Sequence, residues 1–293
     1  MFLPIGDSNR LKVIPFQLVT ASLVCACVVV WLYQLGLPHP QDIQFIFGYG
    51  LVPSVLLGSE SLPAGLDAAP TWATLITYQF LHGGFWHLLG NMLFLWVFGD
   101  NVEDSMGHLK FLAFYLLCGV VAGLVHLIGV GDVRQPMVGA SGAVSGVIIA
   151  YLMLYPRGKV LILAFNWLPI RLPVWLVLGF WIGLQIYSYA NVGGQADASG
   201  VAWLAHIGGL VAGAILLPFM KRKDVSLFQR EEATATLTPD VPTPDAPTDA
   251  PTDAPPDSVP DSAPDSGPAP KRAQSGSVPS SKPPKPRGPW DSS

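Results

Sequence analysis

Apolar residues in this chain gather in long runs separated by short polar or charged stretches. A helix crossing a bilayer needs roughly 20 mostly apolar residues at about 1.5 Å of rise each. Six runs approach that length, at about 13–35, 86–103, 109–130, 139–155, 172–190 and 200–219. Each is predicted to be a membrane-spanning helix. The fourth, between Gly139 and Pro156, is the shortest and is expected to start below the membrane surface. The first follows Arg10 and Lys12 as a signal peptide would, but it extends to Leu35, and Cys25-Ala26-Cys27 matches a cleavage site poorly, so it is read as a retained span.

Basic residues set the expected orientation. With the N-terminus inside, Arg10 and Lys12, then Lys110, then Arg157, Lys159 and Arg171, then Lys221, Arg222 and Lys223 all fall on the cytoplasmic side, and Arg134 alone falls outside. Six spans with both termini in the cytoplasm satisfy this distribution, whereas an odd count would place one basic cluster outside. Spans two, four and six then run in the same direction. The connection at about 36–85 lacks Lys and Arg but holds Trp72, Tyr78 and Phe80, which predicts a loop lying partly in the interface. The link from Arg157 to Pro173 mixes charges with Phe165, Trp167 and Leu168.

From Glu231 the chain turns to Pro, Asp, Ala, Thr and Ser, with repeated Ala-Pro-Thr-Asp units around Ala246 to Asp253, and it ends basic in the polyproline-like stretch from Ser280 to Pro289. Such a segment cannot bury enough apolar area to offset its ordering entropy and is expected to be disordered. The predicted organisation is a cytoplasmic segment 1–12, a six-span domain 13–220 and a tail 221–293.

Composition agrees with a membrane class: 51% of the 293 residues are hydrophobic and 12% charged. The formal charge of -4 implies no basic nucleic-acid surface. Cys25, Cys27 and Cys118 sit in apolar runs and imply no disulfide framework.

Ionisable or polar residues inside a span are functional hypotheses by default. Four stand out: His87 and Asn91 in the second span, Ser141 opening the fourth and His206 near the start of the sixth. The predicted topology puts all four near one depth. In Gly139-Ala140-Ser141-Gly142 the glycines permit a tight turn and close backbone approach at a helix start, where unpaired amides can receive an oxyanion. Taken alone, the segment through Gly146 also reads as a small-residue packing surface. Gly209 and Gly213 share a helical face with His206, whose other reading is a structural histidine. His87 and Asn91, four apart, stack on one face and read equally as an interhelical clamp.

Together the three motifs, Gly-x-Ser-Gly, His followed by Gly at three and seven, and His-xxx-Asn, resemble the rhomboid family of intramembrane serine proteases, over about residues 10–220 and in the family's order. The resemblance implies a bacterial-type, all-α bundle of six transmembrane helices, a multi-pass protein of the bacterial inner membrane. It implies a catalytic dyad of Ser141 and His206, with an oxyanion hole from the Ser141 amide, His87 and Asn91. Its substrates would be transmembrane proteins cut near the outer face after a small residue, without metal or cofactor. Gly139, Gly142, Gly209 and Gly213 would be structural, as would His82, fixing the outer loop, and Glu103, at the turn near Gly107. The sequence departs from the pattern at Ser145, where some members carry an aromatic that stacks on the histidine, and at Ala73, where many carry the Arg of a Trp-Arg pair.

Other chemistries fit less well. No Asp or Glu lies within spans four to six, which disfavours a triad. There is no His-Glu-x-x-His for zinc, and no pair of intramembrane aspartates for an aspartyl protease. A transporter would be marked by intramembrane acids or inverted repeats. The alternative function is a catalytically silent, rhomboid-like protein that binds transmembrane clients. Natural substrate and oligomeric state are not legible.

Overall fold

The computed structural model describes residues 2–164, 168–192 and 201–229, all within a unit spanning Met1–Thr236. In chain order the elements are β1 (Phe2–Asp7), α1 (Leu18–Gly36), α2 (His39–Tyr49), α3 (Pro53–Leu56), α4 (Thr74–Thr77), α5 (Phe85–Met106), α6 (His108–Val130), α7 (Ser141–Leu154), β2 (Lys159–Ala164), β3 (Leu168–Pro173), α8 (Val174–Val192) and α9 (Trp203–Met220). Single 3-10 turns flank α4 at Thr71–Ala73 and Tyr78–Phe80. The fold is mostly helical, and every one of the six apolar runs is a helix: α1 and α5 to α9. The segment predicted to be disordered, from Glu231, lies outside the described residues.

Among the described residues α1, α6 and α9 are long and apolar enough to cross a membrane. The other three helices carry features that set them apart: α5 ends in Asp100, Glu103 and Asp104, α8 holds Gln185, and α7 has 14 residues. The short helix α7 is central. Residues Gly142 to Ile148 are all buried, and α5, α6, α8 and α9 pack around it.

Two features differ from expectation for identifiable reasons. Helix α1 starts at Leu18 rather than near Val13, because Asp104 accepts the amides of Lys12, Val13 and Ile14 at 2.7–2.9 Å and Pro15 follows. The chain is also not wholly α-helical. Segments read as an N-terminal tail and a mixed link form a three-stranded antiparallel sheet, ordered β1-β2-β3. In β2, Val160 and Ile162 are buried while Lys159 is exposed and Leu161 and Leu163 are half-buried, the period-2 pattern of a strand that covers a core with one face. Long-range pairing of Phe2–Asp7 with residues some 150 positions away carries no local signal.

The connection between α1 and α5 is largely helical. Its exposed apolar residues include Ile43, Leu57 and Trp72, the last 69% exposed. It is tied to the loop before α7 by the ion pair of Arg134 with Glu60, by a hydrogen bond from Ser59 to Asp132, and by a bridge in which Leu51 and Met137 exchange backbone hydrogen bonds at 2.7 and 3.0 Å.

Candidate active site

Residues 137–139 lead into α7, and the chain fixes them twice. The Leu51–Met137 bridge holds one end, and the Gly139 amide donates to the Tyr78 carbonyl at 2.9 Å. Tyr78, 2% exposed, also donates its hydroxyl to the Gly119 carbonyl at 2.7 Å, which anchors the turn to α6. Gly139 has φ +126°, a conformation L side chains rarely adopt, and an added Cβ would lie 2.7 Å from His87 Cε1. Backbone and imidazole therefore meet at this glycine. Helix α7 begins at once, and its first cross-turn bond runs from the Val144 amide to the Ala140 carbonyl. Ala140 supplies no side-chain cap, so the amides of the first turn, including that of Ser141, point out of the helix start without an intrahelical acceptor. Ser141 is half-buried where its successors are buried.

Helix α9 meets this start through glycines. A Cβ on Gly209 would strike the Gly142 carbonyl, and one on Gly213 would strike the Gly146 carbonyl, so the two helices run parallel with backbones in contact. A Cβ on Gly142 would also lie 3.7 Å from the Ala205 carbonyl oxygen. The contact of Gly142 with Ala205 and Gly209 brackets Ser141 and His206 at one level of the same interface. His206 is 8% exposed, and its Nδ1 lies 2.8 Å from Oε1 of Gln185 on α8. Trp181 stacks on its ring at a centroid distance of 6.0 Å and an interplanar angle of 30°, while Trp203 meets it edge-on at 86°.

His87 is exposed at the start of α5. Asn91 is buried one turn later and donates its amide to the His87 carbonyl at 3.0 Å. His82 is 2% exposed and packs edge-on against His87 at 5.3 Å. Its backbone amide donates to Gln34 Oε1 at 3.3 Å, whereas neither ring nitrogen makes a well-formed hydrogen bond. Burial, helped by the neighbouring His87 and partly offset by the Phe80 backbone, pushes this imidazole down to about 4.

Glu103 lies at the far end of α5 and is fully buried. Its carboxylate accepts the amides of Val19 and Thr20 at 2.9 and 2.8 Å and the Thr20 hydroxyl at 2.7 Å, with His108 Nδ1 at 2.5 Å. Gly107, at φ +84°, turns the chain from α5 into α6.

The Rhomboid domain family matches residues 69–223, more than half of the chain and the part that carries these motifs. The chain belongs to the rhomboid family. Rhomboid protein 1, mitochondrial, of Saccharomyces cerevisiae is 27% identical over 213 residues, 70% of this chain and 53% of its own length. Rhomboid-like protein 11, chloroplastic, of Arabidopsis thaliana is 30% identical over 158 residues, 50% of this chain and 52% of its own length. Rhomboid protease GluP of Bacillus subtilis is 32% identical over 148 residues, 50% of this chain and 26% of its own length. The chain thus spans about half the length of the first two and about a quarter of the third. Membership, with the apolar helices, makes it an integral membrane protein. Since the relatives come from mitochondria, chloroplasts and a bacterium, rhomboid membership does not select the bacterial inner membrane expected from the sequence.

Sequence reasoning missed Gln185, Trp181 and Trp203 around His206, and Tyr78 behind the turn. Gln185 had a signal: it is an uncharged polar residue in mid-helix among Trp, Leu and Ile, where a lone amide needs a partner. The aromatic stacking absent at Ser145 comes from α8 instead, and Ser145 donates its hydroxyl to the Ser141 carbonyl at 2.7 Å.

Proposed function

We propose that this rhomboid is an intramembrane serine endopeptidase that cleaves transmembrane helices of other proteins through a Ser141–His206 dyad. In this reading α1 and α5 to α9 are six spans of a domain covering residues 13–220, with both of its ends on the cytoplasmic, Lys/Arg-rich side. The observation that carries the reading is the glycine contact of α7 with α9, which sets Ser141, at an uncapped helix start, level with a buried histidine.

Ser141 Oγ attacks the carbonyl carbon of the scissile bond while His206 takes its proton. The oxyanion forms beside the Ser141 amide, with His87 and Asn91 as further donors. Collapse breaks the C–N bond, and His206 returns the proton to the departing amine. Water, deprotonated by His206, then hydrolyses the acyl-enzyme and frees Ser141. The substrate helix must unwind locally, because a helical carbonyl is already hydrogen-bonded and enclosed. Water reaches the site from the end of the bundle that carries the exposed His87.

The test is cleavage of a single-span reporter by purified protein in detergent. Wild type cuts it, whereas Ser141→Ala and His206→Ala bind it without cutting. Undiminished cleavage by Ser141→Ala would sink the scheme, and a wild type that binds the reporter without cutting would favour a silent client-binding rhomboid.

A further inference from the structure

We infer that Gln185 is a positioning residue for His206: it fixes the tautomer and angle of the imidazole and leaves Nε2 as the basic nitrogen. The inference rests on the reading of His206 as the general base and names what holds it.

Gln185 is 3% exposed on α8, and its amide group has two nearby partners. One is the Trp181 carbonyl, one turn back at 3.0 Å, which can only accept, so the amide nitrogen of Gln185 faces it. The carboxamide oxygen then faces His206 Nδ1 at 2.8 Å. That oxygen can only accept, so Nδ1 carries the hydrogen. A neutral imidazole has one N–H, and its lone pair is therefore on Nε2, the nitrogen free to take a proton from a hydroxyl. The Trp181 carbonyl thus orders Gln185, and Gln185 orders His206.

The same turn of α8 also sets the plane of the ring. Trp181 stacks on it at 30°, and Trp203, at the start of α9, meets it edge-on at 86°, so two indoles pack against the imidazole. This arrangement does the orienting work of the acid in a triad without its charge. An acid also stabilises the imidazolium, and loss of the correct tautomer in a triad costs about 10⁴ in kcat. A neutral acceptor gives orientation alone, so its removal is expected to cost less, about tenfold to a hundredfold.

The competing account is a plain interhelical tie, in which Gln185 only satisfies buried polar atoms between α8 and α9. Two substitutions in the full chain separate the accounts. Gln185→Met keeps the length and loses the acceptor; it is expected to lower kcat on a single-span reporter by about tenfold to a hundredfold while KM stays within about twofold. Gln185→Glu keeps an acceptor toward Nδ1 but loses the donor to the Trp181 carbonyl; it is expected to hold kcat within about tenfold of wild type and above the Met variant. A plain tie loses its Trp181 bond in both variants, which would then melt lower together with no selective change in kcat. Where Gln185→Met does not accumulate as folded protein, Gln185→Leu is the second variant without an acceptor. Wild-type kcat in a folded non-acceptor variant, or a Glu variant no faster than it, overturns the inference. Cleavage surviving Ser141→Ala and His206→Ala would instead overturn the dyad. If those two are inactive while Gln185→Met runs at the wild-type rate, only the role of Gln185 falls.

Discussion

Helices α1 and α7 both begin with amides that the helix itself cannot satisfy, and the two starts are finished in opposite ways. Any helix start presents amides without intrahelical acceptors and a partial positive charge. At α1 the need is met from across the bundle, where Glu103 takes the Val19 and Thr20 amides and the Thr20 hydroxyl while Asp104 takes three amides just upstream. At α7, among the described residues, no side chain caps the start, and the imidazole of His87 packs against the glycine turn that leads into it. Acceptors already present in the fold make the first start structural. In the proposed reaction the second keeps its donors for an oxygen whose charge exists only in the tetrahedral intermediate. The difference teaches that polar groups buried in a membrane protein are told apart by whether their partners are already in the fold.

The comparison can be broken at either end. The largest expected effect is at α1: Glu103→Ala leaves the Val19 and Thr20 amides and the Thr20 hydroxyl without acceptors, at roughly 1–3 kcal/mol for each unsatisfied group, so a loss of roughly 3–9 kcal/mol is expected. Thermal melting in detergent should fall steeply, with turnover per folded molecule unchanged. Next is Asn91→Ala, which should act on turnover. Loss of one oxyanion donor costs roughly 2.7–4 kcal/mol of barrier, about a hundred- to a thousandfold in kcat, with KM and melting temperature near wild type. A variant that melts far lower yet turns over normally in the cold would return Asn91 to the packing. His87→Ala should follow the same pattern, less severely if Asn91 partly substitutes for it.

The smallest effect is one of pH. His82 is held neutral by burial and by His87, its pKa lowered from 6.5 to about 4. As pH falls below 6.5 the unfolded chain takes up this proton before the folded one does, so stability is full above that value and declines toward pH 4. The decline amounts to roughly 3.4 kcal/mol at most. Melting followed from pH 7.5 to 4.5 (about three units) should slope downward in wild type and less so in His82→Phe. Equal slopes would place the acid sensitivity elsewhere.

Much of this was legible because it is local. Apolar runs long enough for a span carry their own helix signal, and all six are helices whose ends lie within a few residues of those read from the sequence. Gly139, Gly142, Gly209 and Gly213 were also visible, because close backbone approach leaves only the smallest residue possible. What stayed hidden depends on partners distant in sequence. The strand Phe2–Asp7 has meaning only beside Val160–Ala164, and Asp104 shortens α1 from 90 residues away. Gln185 and Trp181 find His206 only once α8 lies against α9. A missing aromatic at Ser145 said that the imidazole needed another holder, and only the packing could say which.

The central claim is that His206 arms Ser141 at the uncapped start of α7. The most direct measurement is covalent labelling with an organofluorophosphonate, which loses fluoride to an activated serine, followed by mass-spectrometric mapping of the adduct in the full-length protein. The account predicts one adduct, on Ser141, strongly reduced in His206→Ala although that variant stays folded. An unlabelled Ser141 in active protein, or labelling that persists unchanged without His206, would contradict it.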